Sequence, residues 1–130
     1  MTADPQCLTT AESIGQINQS LTTIMNSSAR RSRTMKNNPT GIEALNVSTA
    51  SKIAALQTKL TSLPQLESLA AIQPAIASAA SKLETAAKDY SKAYVPANPA
   101  LYNKANALVT AARQQQISVA DELAANPCAS

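Results

Sequence analysis

Apolar residues recur at helical spacing from residue 14 onward. Ile14, Ile17, Leu21 and Ile24, then Ser28, follow the a/d rhythm that lays one seam along a helix. The first helix is predicted to start at Thr9, where TTAE offers a capping box between Thr9 and Glu12. It should run to about Met35 and stop at KNNPTG, an Asn/Pro/Gly cluster. The last helix is as plain. Asn98 caps it, Pro99 occupies its first turn, and Leu101, Ala105, Leu108, Ala112, Val119 and Leu123 form its stripe until ANP at 125–127 ends it.

Between these lie two more helical stripes, Ile53, Leu56, Leu60, Leu63 and then Ile76, Ala80, Leu83, Ala87, Tyr90, Tyr94. Pro64 and Pro74 are the candidate points of reversal. At Pro64, SLPQ reads as a new start with Ser62 as cap; at Pro74, Gln73-Pro74 follows an apolar turn with no capping residue.

The two cysteines, Cys7 and Cys128, bear on this choice. Two free thiols would fall so near both ends only by coincidence, so a Cys7–Cys128 disulfide is expected. Helices of about 25 residues are about 37 Å long, whereas a disulfide requires Cα atoms within about 7 Å. In an up-and-down arrangement the first start and the last end share a pole only when the helix count is even. The middle of the chain therefore contains one net reversal. Placing it at Pro74 gives segments near 48–73 and 75–94, which match the outer helices in length, and makes Pro64 a kink. The expectation is an all-α, up-and-down four-helix bundle with termini tied by one disulfide. A short fifth helical piece over 64–73 is the alternative. Residues 1–8 form an N-terminal extension and 9–128 a single helical-bundle domain.

Composition agrees with helix and changes the view of the core. Alanine occurs 26 times, Leu, Ile and Val together 24 times, and Phe and Trp are absent, so each helix buries little area. Strand signals are missing, glycine occurs twice, and no apolar run approaches the 18 or more residues of a membrane span. A disulfide closing nearly the whole chain would contribute up to about 4–5 kcal/mol by loop entropy, the staple such a core calls for. Disulfides persist in oxidising compartments, and Met1 ahead of TADPQC reads as a start residue placed before a mature N-terminus. A secreted protein is expected. Three N-x-S matches, at Asn18, Asn26 and Asn46, are close to the number chance gives in a chain this rich in serine and threonine, and add nothing.

Catalytic signals are lacking. Histidine, the commonest general base and metal ligand, is absent, no phosphate-binding glycine loop exists, and the eight carboxylates are scattered. No enzyme, metal or resident cofactor is expected. The stretch ARRSRTMK puts Arg30, Arg31, Arg33 and Lys36 within seven residues. A nucleic-acid reading would want more positive charge than the net +3 and interleaved aromatics, so no nucleic acid is expected. These cations suit a helix C-terminus, where they complement the macrodipole, and they are also available to an anion.

All the aromatic content collects in one hairpin, YVPANPALY with Tyr90 just before it. Under the bundle topology Tyr90, Tyr94 and Tyr102 share a pole with Arg30, Arg31, Arg33 and Lys36, and with Lys88, Lys92 and Lys104. Asp4, Glu12, Asp121, Glu122 and the cysteines gather at the other. The tyrosines either pack the hairpin or rim an entrance to the bundle interior. An entrance would suit an acidic amphiphile such as a fatty acid or other lipid, or haem bound through a tyrosinate. At least one glutamine of Gln114-Gln115-Gln116 should face inward, as a polar layer fixing register or, alternatively, as part of a cavity lining.

Two functions follow. One is a small secreted, non-catalytic binding protein carrying a hydrophobic or amphiphilic small molecule. The other is a secreted effector or surface interaction module that binds a protein partner through a helix face and has no cavity. A monomer is expected in both. An apolar void above about 300 Å³ opening near Tyr94 would favour the carrier, and a tightly packed Ala/Leu interior the module.

Overall fold

An Asx-Pro step opens three of the four helices. The computed structural model describes residues 4–129, and within these α1 spans Pro5–Arg33, α2 Pro39–Thr61, α3 Ile72–Tyr90 and α4 Pro99–Ala124. Asp4, Asn38 and Asn98 each accept a hydrogen bond from a first-turn amide, those of Gln6, Gly41 and Leu101, at 3.0, 2.9 and 3.1 Å. Proline follows each cap, where its missing N–H costs nothing. At the far end of α4 an Asn-Pro step does the opposite. Asn126 takes the left-handed conformation, φ 59°, and stops the helix.

α1 therefore begins four residues before the expected Thr9, because Asp4-Pro5 caps it first. The stretch from Pro5 belongs to the bundle rather than to an extension, and Cys7 is buried. The readings that concern Met1 and residues 1–3 lie outside the described residues. α2 likewise begins at Pro39, since KNNPTG both ends α1 and caps α2.

The reversal between α2 and α3 occupies 62–71, so it includes Pro64 and is complete before Pro74, the break that length matching favoured. α2 ends at Thr61, and the amide of Ser62 bonds back to the Thr58 and Lys59 carbonyls, so Ser62 closes a helix instead of opening one. Pro64 lies in the linker, not at a kink, and Pro74 sits in the first turn of α3. A single 3₁₀ turn, Glu67–Leu69, is all that forms of a fifth helical piece. Gln73 fixes this linker. Its side chain accepts from the Leu66 amide at 3.0 Å and donates to the Pro64 carbonyl at 2.8 Å. The partly buried Leu66 amide and Pro64 carbonyl thus find their partners in a side chain rather than in a helix ladder.

The helices run alternately up and down. α3 and α4 form the closest pair and α2 packs on α3, while α1 rests on α2 and α4 and reaches α3 across the bundle. Fully buried Ala79 and Ala86 of α3 and Ala105 and Ala112 of α4 recur every seven residues, and such small side chains let helices approach closely. Ile14, Leu21, Ile53, Leu69, Ile76, Leu83 and Val119 make the inner core. The Cys7–Cys128 disulfide, bridging 121 residues, is built into it, with both cysteines buried. No helix among the described residues is long and apolar enough to cross a membrane.

Two polar layers set the register. Asn18 and Gln116 exchange side-chain-to-carbonyl bonds of 3.1 and 3.2 Å, and Gln116 also donates to the Thr22 hydroxyl at 3.1 Å, tying α1 to α4. Gln115 and Lys82 join Ser78 in a second cluster that ties α4 to α3. The inward glutamine expected of the 114–116 run is Gln116.

Candidate functional site at the basic end

The tyrosine hairpin is built by α3 running out at Tyr90 and α4 starting at Pro99. The Asn98 amide bonds the Ala93 carbonyl at 2.8 Å and closes the loop between them. Tyr102, one turn into α4, lies edge-on between the other two rings, 5.5 Å from Tyr90 and 6.0 Å from Tyr94 between centroids. These T-shaped contacts place ring edges on ring faces, the favoured quadrupole arrangement. The Tyr90 hydroxyl donates to Asn106 Oδ1.

Burial pushes the Tyr90 phenol up to about 12, the neighbouring Tyr102 and Tyr94 phenols add to the rise, and Arg113 opposes it. Burial and Tyr102 raise Tyr94 as well. Both shifts favour the neutral phenol. That is the reverse of what a tyrosinate ligand for haem iron needs.

Ala86, Ala87 and Ala105 are buried under the hairpin and Ala93 within it, and the edge-on contacts pack the three rings against one another. No tyrosine lines the large grooves. The grooves lie on the flanks of α1 instead. One of about 330 Å³ runs between α1 and α4 over Met25 and Leu83, with Arg113 and Ile117 on its wall. Two more, of about 580 and 450 Å³, share Gln16, Ser20 and Leu56 between α1 and α2.

Arg30, Arg31 and Arg33 occupy the last turn of α1, and Lys36 follows in the turn beyond. All four are exposed. At this end Lys88 pairs with Glu84 at 2.7 Å and Lys104 with Asp89 at 3.5 Å. Among the described residues Arg30, Arg31, Arg33, Lys36 and Lys92 have no carboxylate partner within ion-pair distance. The tyrosines are thus brought together with one another, and the α1 cations join them at the same end without bonding to them. Asp4, Glu12, Glu67, Asp121 and Glu122 are exposed at or towards the opposite end, beside the disulfide and the 62–71 linker.

The sequence reading overlooked Asn106 and Arg113. Both lie on the Tyr102 side of α4, four and eleven residues beyond it, and that spacing was the available signal. It also treated all three N-x-S asparagines alike, whereas Asn18 and Asn46 are buried with their amides bonded to carbonyls and Asn26 is exposed.

No family model, curated protein or solved structure among those compared matches this chain.

Proposed function

We propose that this protein is a small secreted, non-catalytic binding module that meets an acidic partner with the outer surface of its basic end. One observation supports the reading: exposed arginines with no carboxylate partner among the described residues are concentrated at one end of the bundle. Cations with no ion pair among the described residues are available to an outside anion at no cost in broken pairs. The Cys7–Cys128 disulfide suits an oxidising compartment.

The carrier reading keeps one supporting observation, the α1–α4 groove with its apolar floor and the unpaired Arg113 at its wall. That groove is an open cleft and offers a ligand far less burial than an enclosed site.

Native mass spectrometry of protein purified from its own source is expected to give the bare chain mass. A co-purifying fatty acid, other lipid or haem would replace the module by the carrier. Binding to soluble polyglutamate, a generic acidic partner, should fall sharply in Arg30→Gln/Arg31→Gln/Arg33→Gln and hardly change in Lys52→Gln/Lys59→Gln on the side of α2. Equal loss in both would show a response to net charge and overturn the assignment to the basic end.

A further inference from the structure

The geometry points to an anionic lipid bilayer as the surface on which the basic end docks, with the bundle standing end-on. The inference rests on the reading of that end as the binding surface and names its partner.

Height is the first argument. Asn18 and Gln116 are bonded at one level, and α1 and α4 climb from there towards the same end. At about 1.5 Å per residue, Arg33 lies about 22 Å above Asn18 and Pro99 about 25 Å above Gln116. The α1 cations and the α3–α4 hairpin therefore finish nearly flush and present one broad end face.

Shape is the second. The three large grooves run along the flanks of α1, and their walls include none of Arg30, Arg31, Arg33, Lys36, Val95 or Tyr102. Charge spread over an end and lining none of these grooves complements a flat, dispersed negative surface better than it complements a ligand seated in one of them.

Chemistry is the third. Val95 and Tyr102 are 48% and 39% exposed at this same end, beside the cations. A bilayer interface accepts all three kinds of side chain together: cations at the headgroups, the amphipathic tyrosine ring at their depth, and valine just below. The carboxylates at the other end supply orientation, because an anionic surface repels that pole.

The test is co-sedimentation with vesicles of phosphatidylcholine alone and of phosphatidylcholine with phosphatidylglycerol. Binding is expected only where phosphatidylglycerol is present. It should weaken as salt rises from 0.1 M to 1 M and the Debye length shrinks from about 10 Å to about 3 Å. Each surface cation contributes about fivefold, so Arg30→Gln/Arg31→Gln/Arg33→Gln should weaken binding on the order of a hundredfold. Val95→Ser should remove a smaller, salt-insensitive part. All these side chains are exposed, and circular dichroism of each variant verifies the fold.

Lys52→Gln/Lys59→Gln should bind as the parent does. Equal binding to both vesicles, or full binding by the triple arginine variant, would overturn the inference. Tight binding to polyglutamate without vesicle binding would remove the bilayer as partner and leave the basic end in place. Binding to neither would remove both.

Discussion

Gly15 sits in mid-α1, where glycine gives up more backbone freedom than any other residue. A Cβ there would meet Leu123 Cδ1 at 3.7 Å, an ordinary van der Waals contact, so nothing in the bundle requires the missing side chain. Gly15→Ala should stabilise the protein by about 0.5–1 kcal/mol in urea unfolding; a loss would mean that α1 and α4 sit closer than this. Gly41 differs, because a Cβ there would collide with the Asn38 side chain that caps α2. Tyr90 supplies a prediction in pH. Its folded phenol holds the proton to about 12, against about 10 in an unfolded chain. The stability this contributes is complete below pH 10 and fades as pH climbs to 12. Phenolate absorbance should show a late step near pH 12 that Tyr90→Phe abolishes. The variant should also lose less stability over that interval than the parent. A late step that survives the substitution would assign the shift to another ring.

At the scale of elements, what the sequence revealed was local chemistry, and what it hid was tertiary. The stripe from Ile14 to Ser28, the Asn98-Pro99 start and the 125–127 stop depend on residues a turn apart, and each reads directly from the chain. Asp4-Pro5 and Asn38-Pro39 carry the same start signal as Asn98-Pro99. They were passed over because Thr9 with Glu12 formed a second, weaker box and Asn38 stood in a cluster that also ends α1. The start of α3 has no capping signal, only Pro74 in its first turn. Ala71 offers no side-chain cap, and the linker is held by Gln73 reaching back to Pro64 and Leu66. Length matching between helices therefore could not locate the reversal. Gln73→Ala leaves the Leu66 amide and the Pro64 carbonyl unpaired in a partly buried linker, and should cost about 1–3 kcal/mol. Amide exchange is expected to quicken at Leu66 and through the 3₁₀ turn while α3 beyond Ile76 stays protected. An unchanged unfolding midpoint would show that water replaces the amide side chain without loss. The tyrosine cluster followed the same division: its hairpin was readable, whereas the Asn106 bond depends on how closely α3 approaches α4.

For the whole molecule, two terminal cysteines joined by a disulfide require an even number of helices, as the four helices provide, and the same topology leaves positive charge in excess at one end and gathers Asp4, Glu12, Glu67, Asp121 and Glu122 at or towards the other. The disulfide also closes the weakest part of the bundle. α3 and α4 form the closest pair and bury small residues at seven-residue steps, whereas α1 is flanked by open grooves on both sides and held by the Asn18–Gln116 layer and the Cys7–Cys128 bond. Part of its inward stripe is polar, at Thr10, Asn18 and Ser28, which lowers the area term that would otherwise hold it. A bond across 121 residues restricts the unfolded chain by about 4–5 kcal/mol in the loop-entropy account, a large share of the about 5–15 kcal/mol that stabilises a typical domain. Cys7→Ala/Cys128→Ala should therefore lower the unfolding free energy by about 4 kcal/mol in denaturant. The loss should also be uneven. In native-state amide exchange, α1 should open well below the global unfolding energy, while the α3–α4 pair around Ala86 and Ala105 should still exchange only by complete unfolding. If α1 and α4 lost protection together, the four helices would form one cooperative unit, and the disulfide would act only on the unfolded chain and not on the docking of α1.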